Sequence, residues 1–137
     1  MTAGRPLACG WLVLIAAVAG CGDGPPVAPS DPASVLAGIW SGTAVDSVAG
    51  QTAFRLVLTE QNDRIAGTWT VTLSAGSAAI GSVSATASSI PIVFTLSCVP
   101  GGIGALTATR DGTRLTGTYF FVGCAGLGEG TVDVTKQ

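Results

Sequence analysis

The sequence predicts an all-β fold, an eight-stranded antiparallel up-and-down barrel, and three observations carry that prediction. Apolar residues alternate with small polar ones at a period of two in several segments. Glycine is abundant, at 20 residues, and only 10% of the chain is charged. Threonine, serine and valine fill much of the rest, a composition that suits strands and tight turns. No ten-residue stretch carries a 3.6-residue apolar period. Third, a hairpin repeats within the chain: Arg64-Ile65-Ala66-Gly67-Thr68-Trp69 matches Arg114-Leu115-Thr116-Gly117-Thr118-Tyr119 at an offset of fifty residues.

The strands follow in order. The first fits residues 39–45, just after Gly38. In the second, Phe54, Leu56 and Leu58 share one face. In the third, Ile65, Gly67, Trp69, Val71 and Leu73 share one face, with Ala and Thr predominating between them. A fourth fits residues 80–87. The fifth puts Ile92, Phe94 and Leu96 inward, and a sixth fits 105–109. The seventh puts Leu115, Gly117, Tyr119 and Phe121 inward, and an eighth fits 130–135. Gln61-Asn62-Asp63 and Asp111-Gly112-Thr113 carry hairpin-turn chemistry. In each copy of the repeat, glycine at an inward position leaves room that the aromatic two places on can fill, a packing device for a strongly bent sheet. Gly42, Gly81 and Gly130 are candidates for the same role.

Eight short strands joined by hairpins fit a meander barrel, and a Greek-key sandwich is the alternative architecture. In a meander, the loops after odd-numbered strands share one end. Cys98 follows the fifth strand and Cys124 the seventh, so both fall at that end. The longer glycine-rich loops, 46–52, 74–79, 98–104 and 123–128, collect there too, which makes it the expected open end. The termini and tight hairpins take the other.

Ahead of this domain, residues 1–20 fit a signal peptide. A single positive charge, Arg5, precedes an apolar run over 7–19 that Gly10 alone interrupts. That run is too short to span a bilayer, which needs about 20 residues. Its ending, Val18-Ala19-Gly20-Cys21, resembles the lipobox of bacterial lipoproteins. The resemblance implies cleavage before Cys21, lipidation of Cys21 with a diacylglycerol and usually an N-acyl chain, and anchoring in the cell envelope. In lipoproteins that this chain resembles, aspartate after the cysteine favours the inner membrane, so the resemblance, with glycine at position 22, implies the outer membrane over the inner, with the domain in the periplasm or at the cell surface. Residues 21–34 then form a proline-rich tether, and 35–137 the barrel domain, of ordinary single-domain size.

The chain has four cysteines. Cys9 leaves with the signal peptide and Cys21 takes the lipid. Cys98 and Cys124 remain, an even pair in an oxidising compartment, and a disulfide is the economical reading. A redox or metal role lacks support, because there is no histidine and neither cysteine sits in a CxxC pattern.

With the architecture reached, further resemblances take their place. Gly38-Ile39-Trp40 is similar to the G-x-W that opens lipocalins. The Gly-Thr-Trp and Gly-Thr-Tyr strands resemble those of avidin-type barrels. The whole layout is similar to small lipocalin-like bacterial lipoproteins. A typical lipocalin is longer and ends in a helix that this chain lacks, and the polar set that holds biotin in avidins has no counterpart here.

The charge pattern and residue inventory bound the function. Arg55, Arg64, Arg110 and Arg114 are scattered and not interleaved with aromatics, so nucleic acid is not an expected partner. Without histidine or a free thiol the usual general bases and nucleophiles are missing, and no catalytic residue, metal site or cofactor is expected. Asp46 and Glu129 fall near the expected open end, where exposed acids are ordinarily just solvated. Two non-enzymatic readings stand. The favoured one is a structural or protein-interaction module of the envelope, with Val99, Ile103 and Leu127 as contact candidates on the open-end loops, or alternatively as a lid. The other is a binder of a small hydrophobic ligand, with Trp40, Phe54, Trp69, Phe94, Tyr119 and Phe121 lining the interior. Against it stands a filled core, since eight-stranded barrels are just wide enough for side chains to fill.

Overall fold

The computed structural model describes residues 35–137. The segments expected as signal peptide and tether, with Cys21, lie outside the described residues. Eight strands follow in order: β1 (Gly38–Asp46), β2 (Gly50–Gln61), β3 (Arg64–Thr72), β4 (Ala78–Thr86), β5 (Ile92–Cys98), β6 (Ile103–Asp111), β7 (Arg114–Val122) and β8 (Glu129–Lys136). Each pairs antiparallel with its sequence neighbours, and β1 pairs with β8, so the sheet closes into a meander barrel. The sandwich alternative is excluded. Closure leaves no unpaired edge.

The turns have the predicted chemistry. Asn62 and Asp63 form a two-residue β2–β3 turn with φ of 49° and 64°, the left-handed pair that a tight hairpin requires and that Asn and Asp tolerate. Alternation sets the core. Phe54, Leu56 and Leu58 of β2, Ile65, Trp69 and Val71 of β3, Ile92, Phe94 and Leu96 of β5, and Leu115, Tyr119 and Phe121 of β7 all point inward and are buried. Among the described residues no buried side-chain nitrogen or oxygen lacks a hydrogen-bond partner.

The glycine device works across strands instead of along them. Trp69 lies opposite Gly81 of β4, and a Cβ on Gly81 would stand 2.6 Å from the indole Nε1. Tyr119 lies opposite Gly130 of β8, where a Cβ would stand 2.9 Å from the hydroxyl. The room each aromatic uses is thus left by the next strand. Gly67 and Gly117, two places earlier on the same strands, sit against the backbone of β2 and β6. The repeat itself falls on β2–β3 and β6–β7, which stand on opposite sides of an eight-stranded ring.

Candidate functional site

The end bearing the loops after odd strands carries the disulfide, and hollows lie against it at Leu73, Cys98 and Cys124 and at Asp46, Tyr119 and Glu129. Cys98 and Cys124 are disulfide-bonded with Cα atoms 5.8 Å apart, joining the ends of β5 and β7 as the meander requires. Leu127 is only 6% exposed and belongs to the core. Buried there, it presents little surface to a partner. Val99 and Ile103 are different, at 67% and 65% exposed.

Asp46 organises the same end. It is 4% exposed. Its carboxylate accepts hydrogen bonds from the backbone N–H groups of Val48 (2.8 Å), Ala49 (2.9 Å) and Gly128 (3.1 Å) and from the Tyr119 hydroxyl (2.9 Å). Burial alone would raise its pKa, but the three N–H donors and the hydroxyl outweigh it and hold the carboxyl below its usual range. Burial first, then the hydrogen bond to Asp46 and its charge, push the Tyr119 hydroxyl well above the ordinary tyrosine value. The phenol therefore stays a neutral donor. The Asp46–Tyr119 bond was not read from the sequence, which set Asp46 beside Glu129. Glu129 does reach this turn, but through its backbone: its N–H donates to Ser47 Oγ at 3.2 Å and its carbonyl accepts from Ser47 N–H at 2.8 Å.

The interior is filled at this level. The rings of Trp69 on β3 and Phe121 on β7 approach to 4.9 Å although their strands stand on opposite sides of the barrel. Tyr119 lies 5.4 Å from Phe121 and 6.1 Å from Phe54. Trp69 Nε1 donates to the Ser97 carbonyl at 3.0 Å. Trp40 and Phe94 are fully enclosed. Of the six aromatics proposed as ligand-lining, Phe54, Trp69, Tyr119 and Phe121 are therefore placed against one another.

A concavity exists at the opposite end, where the chain enters the barrel. There the segment before β1 crosses the mouth and is fastened three times. Leu36 N–H donates to Glu60 Oε2 at 3.3 Å, Trp40 Nε1 donates to the Leu36 carbonyl at 2.8 Å, and Lys136 Nζ donates to the Val35 carbonyl at 3.2 Å. Leu36 is thereby buried in the mouth. Between this strap and the β4–β5 loop, residues 87–91, lies a cavity of about 350 Å³. Leu36, Ile92 and Ala108 give it an apolar floor, and Glu60, Asp63 and Arg110 stand among its lining residues. Ile90 at its rim is 93% exposed. None of the six predicted aromatics lines it. The sequence signal for it was slight: an isoleucine in the loop Ser88-Ser89-Ile90-Pro91, outside any strand alternation.

Among the described residues no group of three or more histidine, cysteine, aspartate or glutamate side chains is placed to hold a metal ion. The chain matches no protein-family profile and no curated protein. Solved structures do match. One is a de novo designed fluorescence-activating β-barrel, with a TM-score of 0.62 at 16% identity, covering 78% of this chain and 98% of that one. Another is a redesigned β-barrel bound to DFHBI, with a TM-score of 0.61 at 15% identity, covering 75% of this chain and 95% of that one. At such identities the likeness is one of fold.

Proposed function

We propose that this protein is a lipid-anchored, non-catalytic barrel of the cell envelope that binds a small, largely apolar molecule at the mouth beside its N-terminal strap. The observation that supports this most directly is the cavity between the strap and the β4–β5 loop. It measures about 350 Å³, and Leu36, Ile92 and Ala108, all buried, give it an apolar floor. That volume lies within the range of small-ligand sites, roughly 300–1,000 Å³. The barrel also shares its fold with a redesigned barrel bound to DFHBI. The ligand position differs from the sequence expectation, because the interior is occupied by the protein's own rings.

Native mass spectrometry of the protein, purified gently from its own envelope, tests the reading. A bound mass of roughly a few hundred daltons, matching a molecule of that site size, is the expected result. A bare mass that stays bare after exposure to apolar small molecules would reject it.

One observation favours a second reading, docking of an envelope protein. Exposed Ile103 pairs with exposed Val122 on the outer face of β6–β7, and exposed Val99 follows β5 at the same end. A partner using that surface would be lost on changing Val99 and Ile103 to aspartate while the fold survives.

A further inference from the structure

The chemistry of the mouth narrows the ligand class, provided that the ligand-binding reading above holds. The cavity floor is apolar, formed by the buried residues Leu36, Ile92 and Ala108. Its rim is charged and unevenly so. Two carboxylates, Glu60 and Asp63, line it against one guanidinium, Arg110. Arg110 Nη1 already donates to the Gly112 carbonyl at 2.9 Å. Glu60 accepts one bond from Leu36 N–H at 3.3 Å, and Asp63 accepts one from Ser88 Oγ at 2.6 Å. Each carboxylate has about four lone-pair positions, so both keep most of their acceptor capacity. Of the other charges at this end, Lys136 reaches the Val35 carbonyl, Arg114 is paired with Asp133, and neither they nor Arg64 line the cavity.

We infer that the mouth takes a cationic amphiphile, with its apolar body on Leu36, Ile92 and Ala108, its protonated amine at Glu60 and Asp63, and Ile90 folded over its outer side. Charge complementarity selects the head group, because an anionic head would meet two carboxylates and a single guanidinium among the lining residues. Apolar contact selects the body. Ile90 presents a large apolar side chain to water with no neighbour to cover it, and a seated ligand would cover part of it.

Calorimetric titration of the protein with octylamine, octanol and octanoate, probes of equal chain length, tests this. Octylamine is expected to bind about three- to tenfold more tightly than octanol, the scale of two solvent-accessible charge contacts, with octanoate weakest and the amine's advantage shrinking at high salt. The double substitution Glu60→Gln and Asp63→Asn should bring octylamine down to octanol and leave octanol unchanged. The fold is kept, because a glutamine amide oxygen can still accept from Leu36 N–H and asparagine suits a left-handed turn position. Ile90→Ala, at a residue that is almost wholly exposed, should weaken all three probes without lowering the melting temperature. Octanoate binding as tightly as octylamine would overturn the assignment of a cationic ligand. Full binding in Ile90→Ala would overturn its location at this mouth. In the first case the ligand-binding reading would stand as stated, and in the second ligand binding would stand but not the mouth as its place. Failure of all three probes to bind would remove both.

Discussion

The Tyr119 hydroxyl donates a 2.9 Å hydrogen bond to Asp46 Oδ2 across 73 residues of sequence. The bond ties the middle of β7 to the β1–β2 turn, and Asp46 in turn receives N–H groups from that turn and from the β7–β8 loop. One carboxylate thus fixes three segments at the disulfide end. Its charge is tolerated in a nearly buried place because four donors surround it.

The pH dependence of stability should carry the mark of this pair. Asp46 has its folded value lowered from an ordinary 3.8. Its contribution is therefore present above that ordinary value and is lost as pH falls through the lowered one. Tyr119 has its folded value raised from an ordinary 10.0. Its contribution is complete below that value and is lost as pH rises through the raised one. Urea midpoints measured across pH should show a plateau between these limits. Asp46→Asn should lower the plateau by about 1–3 kcal/mol, the scale of hydrogen bonds to a charged group, and flatten the acid limb. An acid limb as steep as in the native protein would remove Asp46 as its source.

Gly81 should be among the least replaceable residues of the barrel. A Cβ there would meet the Ser97 backbone and stand 2.6 Å from Trp69 Nε1, on a side chain that is itself hydrogen-bonded to Ser97. Neither neighbour can give way without breaking that bond or moving a strand. Gly81→Ala is expected to cost about 2–3 kcal/mol through overpacking. Gly101→Ala, with nothing within 4 Å of its Cβ position, should leave the melting temperature nearly unchanged. Equal effects of the two would remove the account of close approach.

The strands were legible because alternation is a local property. Phe54, Leu56 and Leu58, or Ile92, Phe94 and Leu96, declare their face without knowledge of their neighbours, and Asn62-Asp63 declares the turn. The disulfide was legible because a meander fixes which ends coincide. The Asp46–Tyr119 bond was not, because two polar residues far apart in sequence carry no sign of each other. The mouth cavity was not, because it depends on how Leu36 of the strap seats in the mouth and how far the β4–β5 loop stands from it. The inward glycines were recognised, but their partners are set by cross-strand register, which pairs Trp69 with Gly81 and Tyr119 with Gly130.

The Cys98–Cys124 bond closes a loop with a sequence separation of 26 residues. Replacing both cysteines by alanine should cost about 3–4 kcal/mol in the chain-entropy account of cross-links, read as a lower urea midpoint. The loss should concentrate at the disulfide end, so amide exchange should accelerate in the loops after β5 and β7 more than in the turn at Asn62 and Asp63. Alkylation of the native protein without reductant should leave both residues unmodified, and labelling of either would contradict the bond.

The proposed anchor makes the last prediction. Residues 7–19 are apolar but too few to span a bilayer, for which about 20 are needed, so in the proposed reading lipid supplies the attachment. A single acyl chain binds only marginally and two or more hold, which a diacylglycerol on Cys21 would satisfy. Intact mass of the protein from its cell should therefore show loss of residues 1–20 and a lipid adduct at Cys21. Cys21→Ser should leave the barrel domain folded and shift it to the aqueous phase on detergent partition. A mature chain that begins elsewhere, or that carries no adduct yet stays with the membrane, would overturn lipidation at Cys21 as the means of attachment.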